Sequence, residues 1–246
     1  MGRKWNNIKM KKAAQDKLRS QSYTKILREI LMAVKNAGNA EPDSNFALKI
    51  ALVKAKENNV PRDNIDKAIK KGLGQDGAIV EEINYEGYGE GGVAIFTETA
   101  TDNPTRTVSN IRSYFNKYGG SLGTPGCLQF VFEHKAIFTI KEEDLKGMAS
   151  DDLMMELIDF NIDDVEVEDG YVTVKGPTDS YHDIYKKLDG LKIKIEDSGL
   201  ERLPLNTKEV SKEVYDKVQK LIDALESDDD VTKVYHNIEW NEAFAE

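Results

Sequence analysis

VTKVYHNI, residues 231–238, reads as a strand with no partner near it in sequence. The residues before it, about 208–226, have helical spacing and run into Ser227-Asp228-Asp229-Asp230. One helix and one strand make no sheet of their own, so the segment must complete one started elsewhere. Residues 136–196 do not need it. They run as strand (AIFTI), helix (about 150–160), strand (DVEVE), a turn at Asp169-Gly170, strand (YVTVK), helix (about 178–189) and strand (KIKIE). That β-α-β-β-α-β order is the ferredoxin-like signature. The piece ahead of it does lack something. INYEGYGEGGVAIFTETA (83–100) reads as two strands around a Gly-rich turn. Thr105–Tyr118 is a helix with Val108, Ile111 and Phe115 on one side, and CLQFVF (127–132) reads as a strand. A second helix and a fourth strand are missing there, and the C-terminus has both.

The expected fold is α+β, with an N-terminal three-helix domain followed by two small α/β domains of ferredoxin-like type. The helical domain spans 1–77. The second domain is discontinuous, 78–133 with 204–246, and the third, 134–203, is inserted in it. Within the first, Tyr23, Ile26, Leu27, Ile30 and Val34 recur at helical spacing on an arc of about 100°. Lys17, Lys25, Arg28 and Lys35 share a separate arc, so one face is expected to pack and another to offer positive charge. Asp43 or Ser44 is the expected N-cap of a well-buried helix carrying Phe46, Leu48, Ile50, Leu52 and Val53. Pro61 opens a third helix, Ile65, Ala68 and Ile69 form its stripe, and Gly72 stops it. GLGQDG (72–77) is the linker.

Charge divides along the same line. The chain has 246 residues and a formal net charge of −10. Residues 1–75 hold 17 Lys and Arg against 7 Asp and Glu, and residues 76–246 hold 17 against 37. A basic module on an acidic body points to a polyanion partner. No run of 18 apolar residues suggests a membrane span, no apolar region follows the basic start, and the single Cys127 excludes an intramolecular disulfide framework. The expected compartment is the cytoplasm.

Catalytic chemistry finds little support. Gly87-Tyr-Gly89-Glu-Gly-Gly92 matches G-x-G-x-x-G, but a strand follows it and Arg112 stands where a dinucleotide site needs an acid, so a hairpin turn is the better reading. His134, His182 and His236 lack second ligands at metal spacing. Cys127 reads as a small buried residue of an apolar strand, and Ser227–Asp230 as a helix end or loop. No nucleophile with its base is recognisable, so no enzyme, metal or cofactor is expected.

The basic arm differs. Arg3, Lys4, Lys9, Lys11, Lys12, Lys17 and Arg19 are dense enough to follow a phosphate backbone, and Arg28 lies on the basic arc beyond them. Trp5 among them suits stacking on an unpaired base, or anchoring of the arm to the helices. Arg106, at the start of the 105–118 helix, is a further candidate where anions bind well, with a local salt bridge as its alternative role.

Five motifs in order resemble the YebC family, which includes the mitochondrial translational activator of cytochrome oxidase subunit one. They are GRKWNNIKMKKAAQD (2–16), YEGYGEGG (85–92), DNPTRTVSNIR (102–112), GGSLGTPGCLQFVF (119–132) and LIDALESDDDVTKVYHNI (221–238). Arg3 stands where the common start has His-Ser, as in the YeeN-like branch, and Glu90 replaces the usual Pro of the turn. The resemblance implies three domains and a non-catalytic, nucleic-acid-binding regulator of gene expression. Two partners follow from it: DNA, as for transcriptional regulators, or ribosomal RNA and the ribosome, as for a translation factor that relieves stalling. The absence of a recognisable helix-turn-helix and the Trp-bearing basic arm lean toward RNA. A protein-protein adaptor without nucleic-acid contact is the remaining alternative.

Overall fold

The computed structural model describes residues 22–75, 80–241 and 244. These fall into two compact units: Phe130–Asn206, and the remainder of the described chain.

The larger unit begins with three helices, α1 (Ser22–Ala37), α2 (Phe46–Glu57) and α3 (Arg62–Gly72). Ile26, Ile30 and Val34 of α1 bury against Leu48, Ala51 and Ala55 of α2 and Ile65 and Ala68 of α3. The N-cap of α2 is Asn45, one residue beyond Ser44 and two beyond Asp43, the expected caps. Its Oδ1 accepts from the Leu48 N–H while its Nδ2 donates to Ala33 and Asn39 carbonyls, so one buried amide caps α2 and ties it to α1. The buried face of α2 is narrower than expected. Alanines fill it, and Val53 is 52% exposed. Gly72 does more than end α3: a Cβ there would lie 2.7 Å from the Leu31 carbonyl oxygen and 2.8 Å from Val34 Cβ, so its absence lets α3 close on α1.

The same unit holds a four-stranded sheet of β1 (Glu81–Tyr88), β2 (Ala94–Thr101), β3 (Ser121–Leu122) and, at the end of the chain, Val231–His236. The order is β3-β1-β2 and then that last strand, which runs antiparallel to β2, with Phe96 opposite Tyr235. The β1–β2 hairpin turns through Gly91 (φ 69) and Gly92 (φ 72), conformations that favour glycine and rule out the helix a dinucleotide site requires. Helix α4 (Pro104–Lys117), with Asn103 as N-cap, packs Ile111 and Phe115 into this core beside Val218, Leu221 and Leu225 of a later helix, Lys212–Glu226.

The expected strand at 127–132 is a run of turns as far as Val131, and the strand begins at Phe132. The reason is Glu86. Its buried carboxylate accepts the N–H groups of Gly126 (2.8 Å) and Leu128 (2.6 Å), donors that a ladder would otherwise have used. Cys127 is therefore a half-buried turn residue rather than a core strand residue.

The second unit contains β4 (Phe132–Lys141), α5 (Ser150–Leu157), β5 (Asp164–Glu168), β6 (Tyr171–Pro177), α6 (Tyr181–Gly190) and β7 (Ile195–Pro204), in sheet order β5-β6-β4-β7. This is the ferredoxin-like arrangement. Ala136, Phe138, Ile140, Val172 and Val174 face Leu153 and Leu157 of α5 and Ile184 and Leu188 of α6. Asp169 (φ 50) and Gly170 (φ 78) form the tight β5–β6 turn. The last strand starts at Ile195, later than KIKIE suggests. Lys192 is left-handed (φ 56), and Ile193 fills the core before the ladder begins. On the open face the charges pair across or beside strands: Lys175 with Glu166, Lys135 with Asp163 (3.1 Å) and Lys141 with Glu196 (3.5 Å). We label the remaining elements α7 (Lys212–Glu226) and β8 (Val231–His236).

Candidate nucleic-acid interface

In the described part of the basic arc on α1, Lys25 and Arg28 are half-buried, and Lys35, though exposed, turns its tip back to the sheet. Lys35 Nζ donates to the Val80 carbonyl and Arg28 Nη1 to the Ala100 carbonyl, at the two outer ends of the β1–β2 hairpin. Arg28 Nη2 also bonds Asp230 Oδ1 at 2.7 Å. Burial lowers the Lys25 pKa, opposed by the nearby charges of Glu226 and Glu29. A helical wheel separates the cationic arc from the apolar stripe, but Arg28 and the tip of Lys35 are taken up by Asp230 and by strand-end carbonyls of the sheet, while the rest of Lys35 stays exposed.

Asp230 is the centre of that meeting. Its side chain is 3% exposed. Besides Arg28 it accepts from Arg106 Nη2 (2.8 Å), Thr107 Oγ1 (2.7 Å) and Thr101 Oγ1 (3.2 Å). Burial pushes the Asp230 carboxyl up, but hydrogen bonds from Arg106 and Thr107 and the charges of Arg28 and Arg106 outweigh it. The group sits below the ordinary aspartate range. Arg106 also reaches Asp102 (3.2 Å), which forms an ion pair with Lys71 of α3 (3.6 Å). One chain of charges, Lys71–Asp102–Arg106–Asp230–Arg28, thus joins α1 and α3 to the sheet and α4.

Asp228, two residues earlier, does a related task. It accepts from Asn110 Nδ2 and Tyr114 Oη, both at 3.0 Å, and from the Asp230 N–H at 2.9 Å. Burial, and then the charge of Asp228, push the Tyr114 phenol up to about 12. Asp228 and Asp230 therefore fix the turn from α7 into β8 against α4.

Of the ten sequence candidates, Arg3, Lys4, Trp5, Lys9, Lys11, Lys12, Lys17 and Arg19 lie outside the described residues. The other two, Arg28 and Arg106, converge on Asp230. Arg28 is 20% exposed with both terminal nitrogens engaged, whereas Arg106 keeps 49% of its side chain in solvent. Cations that do face solvent in the helical part include Lys67 and Lys70 on α3. Asp230, Thr101, Thr107 and Glu86 escaped sequence reasoning. The only local hint was the spacing of Asp228 and Asp230, two apart at a helix end.

The helical segment matches the family model of the TACO1/YebC protein N-terminal domain over residues 3–75, and residues 80–238 match that of the TACO1/YebC second and third domain. Among similar proteins, a probable transcriptional regulatory protein of Parabacteroides distasonis is 44% identical over 97% of each chain. Another of that description, YrbC of Bacillus subtilis, is 40% identical over 95% of this chain and 97% of its own. The crystal structure of the conserved hypothetical protein Aq1575 from Aquifex aeolicus superposes with a TM-score of 0.77 at 34% identity, covering 92% of both chains. Both halves of the match run in order across the cations of α1 and the split sheet, and the chain belongs to the TACO1/YebC family.

Proposed function

We propose that this chain is a non-catalytic, nucleic-acid-binding regulator of gene expression whose polyanion contact lies in the basic N-terminal module. The observation that carries the reading is the charge division: 17 cations against 7 anions in residues 1–75, and 17 against 37 in the rest. Relatives described as probable transcriptional regulatory proteins support a regulatory role. The contact residues are Arg3, Lys4, Trp5, Lys9, Lys11, Lys12, Lys17 and Arg19. Arg106 contributes at the margin through its exposed edge, and Arg28 acts indirectly by holding α1 to Asp230. In this scheme residues 1–77 bind, while 78–133 with 204–246, and the inserted 134–203, carry the acidic surfaces.

The triple variant K9A/K11A/K12A tests it. Binding to duplex DNA and to structured RNA, titrated against salt, should weaken, with a log-log salt slope reduced by up to about 0.9 per lost duplex phosphate contact. An unchanged affinity and slope would sink the proposal. Ribosomal RNA is the second reading, favoured by Trp5 within the basic run, because stacking suits irregular RNA. Crosslinking in cells followed by sequencing separates the two: ribosomal RNA supports a translational role and promoter DNA a transcriptional one.

A further inference from the structure

The inserted unit, residues 130–206, holds 19 Asp and Glu against 9 Lys and Arg. Nine of those acids fall between Gly147 and Val174, where no Lys or Arg occurs. This stretch forms α5, β5 and the start of β6. Three of its acids are neutralised within the unit: Glu156 by Lys187, Asp163 by Lys135 and Glu166 by Lys175. Asp151, Asp152 and Asp159 have no ion-pair partner among the described residues.

Between these unpaired acids lies an apolar surface. Met155 on α5 is 68% exposed, and Ile158, which opens the 3-10 turn Ile158–Phe160 directly after α5, is 58% exposed. Met154 on α5 and Val167 on β5, a strand in contact with α5, are exposed as well. Asp151 and Asp152 are one turn before Met155, and Asp159 is one turn after it. The helix dipole accounts for acids in a first turn, but not for neighbouring exposed Met and Ile side chains.

We infer that the α5–β5 surface of the inserted unit docks a basic amphipathic helix of a protein partner, its apolar stripe on Met155 and Ile158 and its Lys or Arg flanks on Asp151, Asp152 and Asp159. Charge complementarity selects the partner, since the acidic rim repels nucleic acid and other acidic surfaces. An amphipathic helix brings an apolar stripe and flanking cations together, which matches exposed apolar side chains among acids, and methionine adapts its shape to the surface it meets. Strand addition at β5 fits less well, because the Val165 N–H already donates to Asp164 Oδ1 at 2.8 Å.

The test uses the full chain and two fluorescent 20-residue Lys/Leu peptides of one composition. One has leucines at i, i+3, i+4 and i+7, and the other is scrambled. The amphipathic peptide should bind at least about tenfold tighter than the scrambled one. M155S/I158S should remove most of that difference without changing Tm. D151N/D152N/D159N should weaken binding and flatten its salt dependence. Equal binding of both peptides, unaffected by M155S/I158S, would reduce the surface to general acidity and overturn the inference. So would no binding at all, or concentration-dependent self-association in sedimentation that M155S/I158S abolishes, which would make a second copy the occupant.

Discussion

Every strand of the sheet in the inserted unit comes from one stretch, Phe132 to Pro204, and its charged residues pair on an open face. The other sheet takes β1, β2 and β3 before Gly123 and waits for β8 at Val231. Its critical charges converge on Asp230, whose buried carboxylate holds Arg28 and one edge of the half-exposed Arg106. Closing the long loop gives little sequence-local guidance about where β8 belongs. A buried carboxylate with four donors arranged around it supplies that guidance, since any slip of β8 would leave the charge uncompensated. The local sheet has no such need, and its charges stay exchangeable with solvent.

The largest expected effect comes from separating the two. A fragment of residues 130–206 should fold alone, with native-like circular dichroism and dispersed amide resonances, because its core of Phe138, Ile140, Leu153, Leu157, Val172 and Ile184 is internal. A chain ending at Asn206 should keep that unit but lose cooperative unfolding of the other, lacking α7 and β8. An unfolded fragment would break the comparison. Next in size is D230N. It leaves two guanidinium groups facing a neutral amide, and the loss should be about 3–5 kcal/mol by chemical denaturation. Trp240, packed on Tyr215 and Phe244, gives a local fluorescence signal for the affected unit. The pH profile gives the sign independently. The native Asp230 carboxyl lies below its unfolded value of about 3.9, so its contribution is present above that pH and is lost as pH falls through the native value. D230N should flatten this acid limb. A wild-type-like limb would show that other carboxylates carry it.

How much of this was legible depended on the range of the interaction that decides each feature. The β-α-β-β-α-β order followed from period-2 runs and from Asp169-Gly170, all local, and the need for a returning helix and strand followed from counting elements. The run 127–132 misled because its apolar alternation is real, whereas the partner that takes its N–H groups, Glu86, is about 40 residues away. Arg28 misled similarly: the helical wheel found its face, but Asp230, 202 residues on, decides what that face meets. The N-cap of α2 moved by one residue or two because Asn45, unlike Asp43 or Ser44, also reaches α1 through its second side-chain atom.

The smallest effect is the one that tests the comparison from the other side. Lys175 and Glu166 face each other on the open sheet, and although Lys175 is 16% exposed, the Glu166 carboxylate is 41% exposed against 3% for Asp230. Removing the pair by E166Q should change stability by no more than about 1 kcal/mol, because water replaces the lost partner and the two side chains regain freedom. Added salt should shrink even that difference, since exposed charges are screened. Asp230 should respond differently, its carboxylate being only 3% exposed although Arg106 beside it reaches solvent. Measured side by side in low and high salt, D230N should retain most of its loss while that of E166Q fades. Equal salt sensitivity would mean that burial does not set the two carboxylates apart, and the role given to Asp230 in placing β8 would fall with it.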